Sequence, residues 1–174
     1  IMTDIINEYK ELLALKLEIE QQLSNLLKGY ISKKTIGGKL YLYLQNRNGD
    51  TVESRYIKAE EYQDIKNQLS LRKKHEAELP EILKRIADIE TAAELLDKAI
   101  LRKLKMLKLT NGMDNISSEE KEKRISFSEA MTSIEGVPVS DRVKSDLANW
   151  RNGNITFLSV FEQTLRRYGF VTEV

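Results

Sequence analysis

The residues best supplied for chemistry in this chain are basic and aromatic. Between Lys28 and Lys58 stand Lys28, Lys33, Lys34, Lys39, Arg47, Arg55 and Lys58 against only Asp50 and Glu53. Seven minus two is a local excess of +5 in a chain whose formal net charge is +1. Tyr30, Tyr41, Tyr43 and Tyr56 interleave with these cations. Lysines on phosphates and a strand in a groove are what a small nucleic-acid-binding sheet requires. Lys33, Lys34, Lys39, Tyr41, Tyr43, Arg47 and Arg55 are therefore the candidate contacts to nucleic acid, DNA included. The competing reading is structural: charged strands protect sheet edges, and tyrosines cap a core from outside. No base-reading cluster stands out.

Other chemistry is poorly supplied. Cys is 0, which excludes disulfides, Cys-ligated zinc and thiol catalysis, and His is 1, which removes His-clustered metal sites. There is no Gly-rich phosphate loop and no nucleophile–base pair with local context. The expectation is a protein that is not an enzyme and needs no cofactor or metal. Glu60-Glu61 and Glu119-Glu120 read as helix N-terminal charge, favourable at the positive end of the macrodipole. His75 lies among Arg72, Lys73, Lys74 and Glu76 and is expected to be an exposed helix residue.

The most specific string runs from Ser126 to Gly136, Ser-Phe-Ser-Glu-Ala-Met-Thr-Ser-Ile-Glu-Gly, and the function expected from it comes first, with nucleic-acid binding as the alternative. Glu135-Gly136 reads as a helix end with glycine at the left-handed position. A carboxylate there opposes the helix dipole, at a cost of about 0.3–1 kcal/mol, which hints that Glu135 contacts something else. Ile134-Glu135-Gly136, a short helix after it, the junction Gly153 to Thr156 and a last helix ending near Tyr168 together resemble antitoxins of the VbhA type. These are small three-helix inhibitors of Fic-domain adenylyltransferases. The resemblance covers residues 125–170. It implies that Glu135 enters the active site of a Fic-type AMP-transferring toxin and takes an arginine that would hold the γ-phosphate of ATP. A carboxylate can compete with a phosphate for a guanidinium through a bidentate, charge-assisted contact. The family's small residue maps to Gly136. Its hydroxyl position maps to Met131, with Thr132 and Ser133 one and two places further on.

These residues need a frame. Ile5, Tyr9, Leu12, Ile19, Leu23 and Leu26 recur in steps of three and four, which predicts a helix over 3–27 stopped by Gly29. The period then changes to two. Gly37-Gly38 and Asn48-Gly49 are strong hairpin turns, so residues 30–57 are expected to form a three-stranded antiparallel meander. Leu40, Leu42 and Leu44 should face helices, with Tyr41 and Tyr43 on the opposite face. Residues 59–109 read as a long helix, kinked or restarted at Pro80. At 1.5 Å per residue the first helix covers roughly 37 Å and the second roughly 75 Å. The surplus seam around Leu96, Ile100 and Leu107 must meet the C-terminal region, another chain, or itself across a homodimer axis.

Residues 110–118 read as a linker, and 119–134, 140–152 and 156–168 as three short helices. The expected class is α+β, mostly α. The expected order is a helix–meander–long-helix coiled-coil domain (1–109), a linker (110–118) and a three-helix antitoxin-like module (119–174). No apolar run approaches the length of a membrane span, and a secretory signal pattern is absent, so a cytoplasmic protein is expected.

Overall fold

The computed structural model of the chain describes residues 2–170. The chain is α+β and mostly α. Helix α1 (Met2–Asn25) leads into strands β1 (Tyr30–Ile36), β2 (Lys39–Asn48) and β3 (Thr51–Tyr56). Helices α2 (Tyr62–Leu96), α3 (Lys98–Thr110), α4 (Ser118–Ile134), α5 (Asp141–Arg151) and α6 (Phe157–Arg167) follow. Residues 171–174, the end of the expected C-terminal module, lie outside the described residues. The chain divides into two compact units. One takes the chain up to Ala14 and from Ile86 onward, and the other is Leu15–Arg85. Among the described residues, no helix is long and apolar enough to cross a membrane.

In the Leu15–Arg85 unit the sheet is a meander of order β1-β2-β3. Gly37 and Gly38 both take positive φ, 58° and 78°, as a two-residue hairpin loop demands. The second turn sits one residue later than expected. Asn48 pairs with Thr51 at the strand ends, so the loop is Gly49-Asp50 and only Gly49 has positive φ. This is the glycine-first form of the two-residue turn.

Leu44, Ile57 and Ile65 form the core, with Leu27, Ile31, Leu42, Tyr62 and Leu69 packed on it. Leu40 departs from the expected leucine stripe: it points the same way as Leu42 and Leu44 but is 61 % exposed. It lies at the hairpin end of β2, beyond the apolar cover. His75 also departs from expectation, because it is buried. Its Nε2 lies 2.6 Å from Gln22 Oε1 and its Nδ1 3.2 Å from Glu78 Oε2. Nearby, Arg72 Nη1 donates to the carbonyls of Leu23 and Leu26 at 2.9 and 3.1 Å. The last turn of α1 holds no basic residue of its own. Arg72 of α2 supplies the cation that its orphan carbonyls favour.

In the other unit the long helix breaks at Asp97 and not at Pro80, which lies within α2. Asp97 is extended, and its carboxylate accepts from the Ala99 N–H at 2.7 Å, capping α3. The roughly 75 Å rod is therefore not formed. Lys108 of α3 reaches Glu90 of α2 at 2.7 Å. The surplus seam is partly covered within the chain: Leu104 and Leu107 are buried and Ile100 half-buried, whereas Leu95 and Leu96 stay exposed. α6 packs on α3, with Lys103 paired to Glu162.

The C-terminal helices repeat one local grammar. Ser117 and Thr156 cap α4 and α6 through their side chains. Gly136, Gly153 and Gly169 follow the C-caps of α4, α5 and α6 with positive φ, and the next residue's N–H bonds back five residues each time. Trp150, 1 % exposed, is the hub. Its indole N–H donates to Asp114 Oδ1 at 2.9 Å, and the same oxygen accepts from the Phe157 N–H at 2.8 Å. Lys121 Nζ lies 5.1 Å above the Trp150 ring. Residues 110–118, expected as a linker, thus contain the carboxylate that fastens α5 to the start of α6.

Candidate functional site

Strand pairing decides which sequence-level candidates share a face. Residues directly opposite in an antiparallel pair point to the same side. Lys34 pairs with Tyr41, Ser32 with Tyr43, Tyr30 with Gln45 and Ile36 with Lys39. Across the other edge Tyr43 pairs with Tyr56, Gln45 with Ser54 and Arg47 with Val52. The face turned away from the Leu42 and Leu44 core therefore carries Lys34, Lys39 and Arg47, four tyrosines, and no acidic residue. Among the described residues none of these three cations makes an ion pair.

Five of the seven candidates meet on this face: Lys34, Lys39, Tyr41, Tyr43 and Arg47. The other two do not. Lys33 pairs with Leu42 and Arg55 with Leu44, so both fall on the helix side. Arg55 is further occupied, with its Nη1 donating to both carboxylate oxygens of Glu61 at 3.1 and 3.2 Å. That bond, with the Lys58 N–H, holds the Glu61 carboxyl below the usual carboxylate range.

The same register shows a pair missing from the sequence reading. Gln45 and Arg47 are not adjacent along the chain, yet with Asn46 turned to the other side they are consecutive on the outer face. The signal was a spacing of two within a strand.

The tyrosines are tied to one another. Tyr43 meets Tyr56 edge-on at 5.8 Å between ring centres, and Tyr41 lies 6.1 Å from Tyr56. Lys34 Nζ sits 4.7 Å above the Tyr43 ring. Ser32 Oγ, on the same face, is buried without a hydrogen-bond partner. Next to the β1 end of the sheet an open cleft of about 460 Å³ is lined by Tyr30, Ile31, Lys66 and Lys73, among others. Both lysines are exposed.

Glu135 is the C-cap residue of α4 and is exposed. No hydrogen bond or ion pair engages its carboxylate among the described residues. Gly136 behind it has φ 75°, and its N–H bonds to the Ser133 carbonyl while that of Val137 bonds to Thr132. Of the hydroxyls beside Met131, Thr132 is spent on its own helix, donating to the carbonyls of Ser128 and Glu129. Ser133 is exposed. Phe127, Met131 and Ile134, at steps of four and three, form an exposed apolar row that runs toward Glu135.

A family model for a domain of unknown function (DUF6788) matches residues 9–67, which contain most of α1, the whole meander and the first turn of α2. No curated protein and no solved structure matches the chain.

Proposed function

We propose that this chain binds nucleic acid through the outer face of its meander. The observation that supports the reading best is an acid-free sheet face on which Lys34, Lys39 and Arg47 stand beside four tyrosines with no counter-charge of their own. Unpaired cations on a surface release counterions when they neutralise phosphates, so the affinity must depend on salt. Two phosphate contacts, from Lys34 and Lys39, give a slope of log K against log salt of about −1.8 for B-DNA, and each one removed makes it about 0.9 less negative. The test is fluorescence anisotropy of a labelled oligonucleotide titrated with the full chain across a salt series. Lys34→Ala and Lys39→Ala should each weaken binding and flatten the slope, and Arg47→Ala should weaken binding. A salt-independent response, or binding unchanged in the triple variant, overturns the reading.

A second reading is favoured by Glu135. A solvent-facing, unengaged carboxylate at the end of an exposed apolar row suits insertion into a partner's cleft. On this reading the chain is an antitoxin-like inhibitor that captures a Fic-type AMP-transferring toxin in the cytoplasm and blocks productive ATP binding. Co-purification with the product of the neighbouring gene tests the capture. Glu135→Gly tests the mechanism: inhibition that survives this change intact removes Glu135 from the role.

A further inference from the structure

We infer that the outer face reads double-stranded DNA in the major groove, with Arg47 and Gln45 reaching base edges and the β1 side of the sheet facing a phosphate backbone. This rests on the nucleic-acid reading and narrows it to one substrate class.

Width is the first argument. Three strands at about 4.8 Å spacing span about 10 Å between outer strand axes, comparable with a B-DNA major groove about 12 Å wide, so the central strand β2, which carries Gln45 and Arg47, is the one that enters deepest. Two-residue loops at Gly37-Gly38 and Gly49-Asp50 keep both hairpin ends no broader than the strands.

The second is the readout pair. Side chains two apart on one strand are about 7 Å apart, close to two base-pair steps. An arginine fork matches guanine O6 and N7, and a glutamine amide matches adenine N6 and N7. Arg47 is exposed and Gln45 half-buried, and among the described residues neither side chain makes a hydrogen bond or ion pair.

The third argument separates duplex from single strand. Binding of unstacked bases needs free ring faces. Here Tyr41, Tyr43 and Tyr56 pack on each other, and Lys34 sits over Tyr43. The cluster stiffens the face and occupies the half-buried Tyr41 and Tyr43 rings, leaving Tyr30 and the outer side of Tyr56 as its open aromatic surface.

The fourth is the asymmetry of the two edges. Lys66, Lys73 and Arg72 line the cleft beside Tyr30 and Ile31 with one carboxylate, Glu76, which Arg72 pairs at 2.8 Å, and exposed Lys33 lies on the same edge strand. On the β3 side Arg55 is neutralised by Glu61, and Asp50 and Glu53 add negative charge. A polyanion is attracted to the first edge and repelled from the second, which fixes the polarity of docking.

The experiment uses the full chain and three labelled probes of equal length: a random-sequence DNA duplex, one of its strands alone, and an RNA duplex, whose deep major groove excludes a sheet. The DNA duplex should bind about tenfold tighter than either of the others. Methyl green, a major-groove ligand, should compete, and the minor-groove ligand netropsin should not. Selection from a random duplex library should return a consensus. Arg47→Lys keeps the charge and the fold but loses the fork, so its consensus should lose a guanine preference of about tenfold. Gln45→Met should relax an adenine position about two base-pair steps away. Equal or tighter binding of the single strand or the RNA duplex, netropsin competition, or a consensus unchanged in Arg47→Lys overturns this inference and leaves the nucleic-acid reading standing. Binding to none of the probes removes both.

Discussion

Replacing Tyr9 by Phe tests how the N-terminal half of α1 is held. Tyr9 is fully buried, and its hydroxyl donates to Glu90 Oε1 at 2.6 Å. The same oxygen accepts from Lys108 Nζ at 2.7 Å, so residues of α1, α2 and α3 meet at one carboxylate. Hydrogen bonds to charged groups contribute about 1.5–3 kcal/mol, and the short distance argues for the strong end. Glu90 keeps Lys108 and some solvent in the variant, which argues for the weak end. The expected loss at neutral pH is about 1–2 kcal/mol, or roughly 2–8 °C in melting temperature for a chain of this size.

The pH dependence carries the sharper signature. Burial, then the hydrogen bond to Glu90 and its charge, push the Tyr9 hydroxyl well above its ordinary value near 10. A group whose pKa is raised on folding stabilises fully below the unfolded value and loses that contribution as pH rises past it. Burial alone would raise the Glu90 carboxyl, but hydrogen bonds from Lys108 and Tyr9 and the charges of Lys108 and Lys105 outweigh it and hold it low. A lowered carboxylate stabilises above its unfolded value and loses that contribution as pH falls. The advantage of wild type over Tyr9→Phe should therefore be flat across neutral pH, and shrink below about pH 4 and above about pH 10. Urea unfolding at several pH values measures it. Equal stability at pH 7, or a difference that persists unchanged into alkali, would refute the argument.

Three other changes probe the frame. Gly29 has φ 113°, and a Cβ there would stand 2.1 Å from the Gln45 carbonyl oxygen of the central strand. Gly29→Ala should cost at least about 2–3 kcal/mol in thermal unfolding, against about 1–2 for Gly37→Ala, whose added Cβ meets nothing within 4 Å. Asp114→Ala strands the buried Trp150 N–H and takes the acceptor from the Phe157 N–H at the start of α6, so a loss of about 2–3 kcal/mol and a red-shifted fluorescence of the single tryptophan should follow, with Asp114→Asn milder. Ser32→Ala removes a buried hydroxyl that has no partner, and should melt at the same temperature or higher.

Much of the frame was legible because it is local. Glycines in pairs or before a polar residue give hairpins, and Ser117, Thr156, Gly136, Gly153 and Gly169 bound helices through bonds to their own neighbours. What was missed depends on residues far apart in sequence. His75 is buried because Gln22 lies 53 residues away and meets its ring. The long helix breaks at Asp97 because a carboxylate there can cap the next segment, whereas Pro80 lacks one N–H that α2 does without. Arg72 belongs to the charged run around His75, and its bonds to the carbonyls of Leu23 and Leu26 give that run a purpose.

The candidate face shows the same division more sharply. Counting cations along residues 28–58 treats the segment as a line, and on that line Lys33 and Lys34 are equivalent. In a strand they are opposites: Lys34 shares a side with Tyr41, and Lys33 with Leu42. The same alternation removes Arg55 and gives it to Glu61, and it brings Gln45 beside Arg47 by turning Asn46 away. A one-residue slip of β2 would exchange the two sets and place Leu42 and Leu44 in solvent. The burial of Leu44 against Ile57 and Ile65 therefore does more than stabilise the sheet. It fixes which side chains the outer face presents, so a substitution such as Leu44→Lys should abolish binding by the face without touching any residue on it.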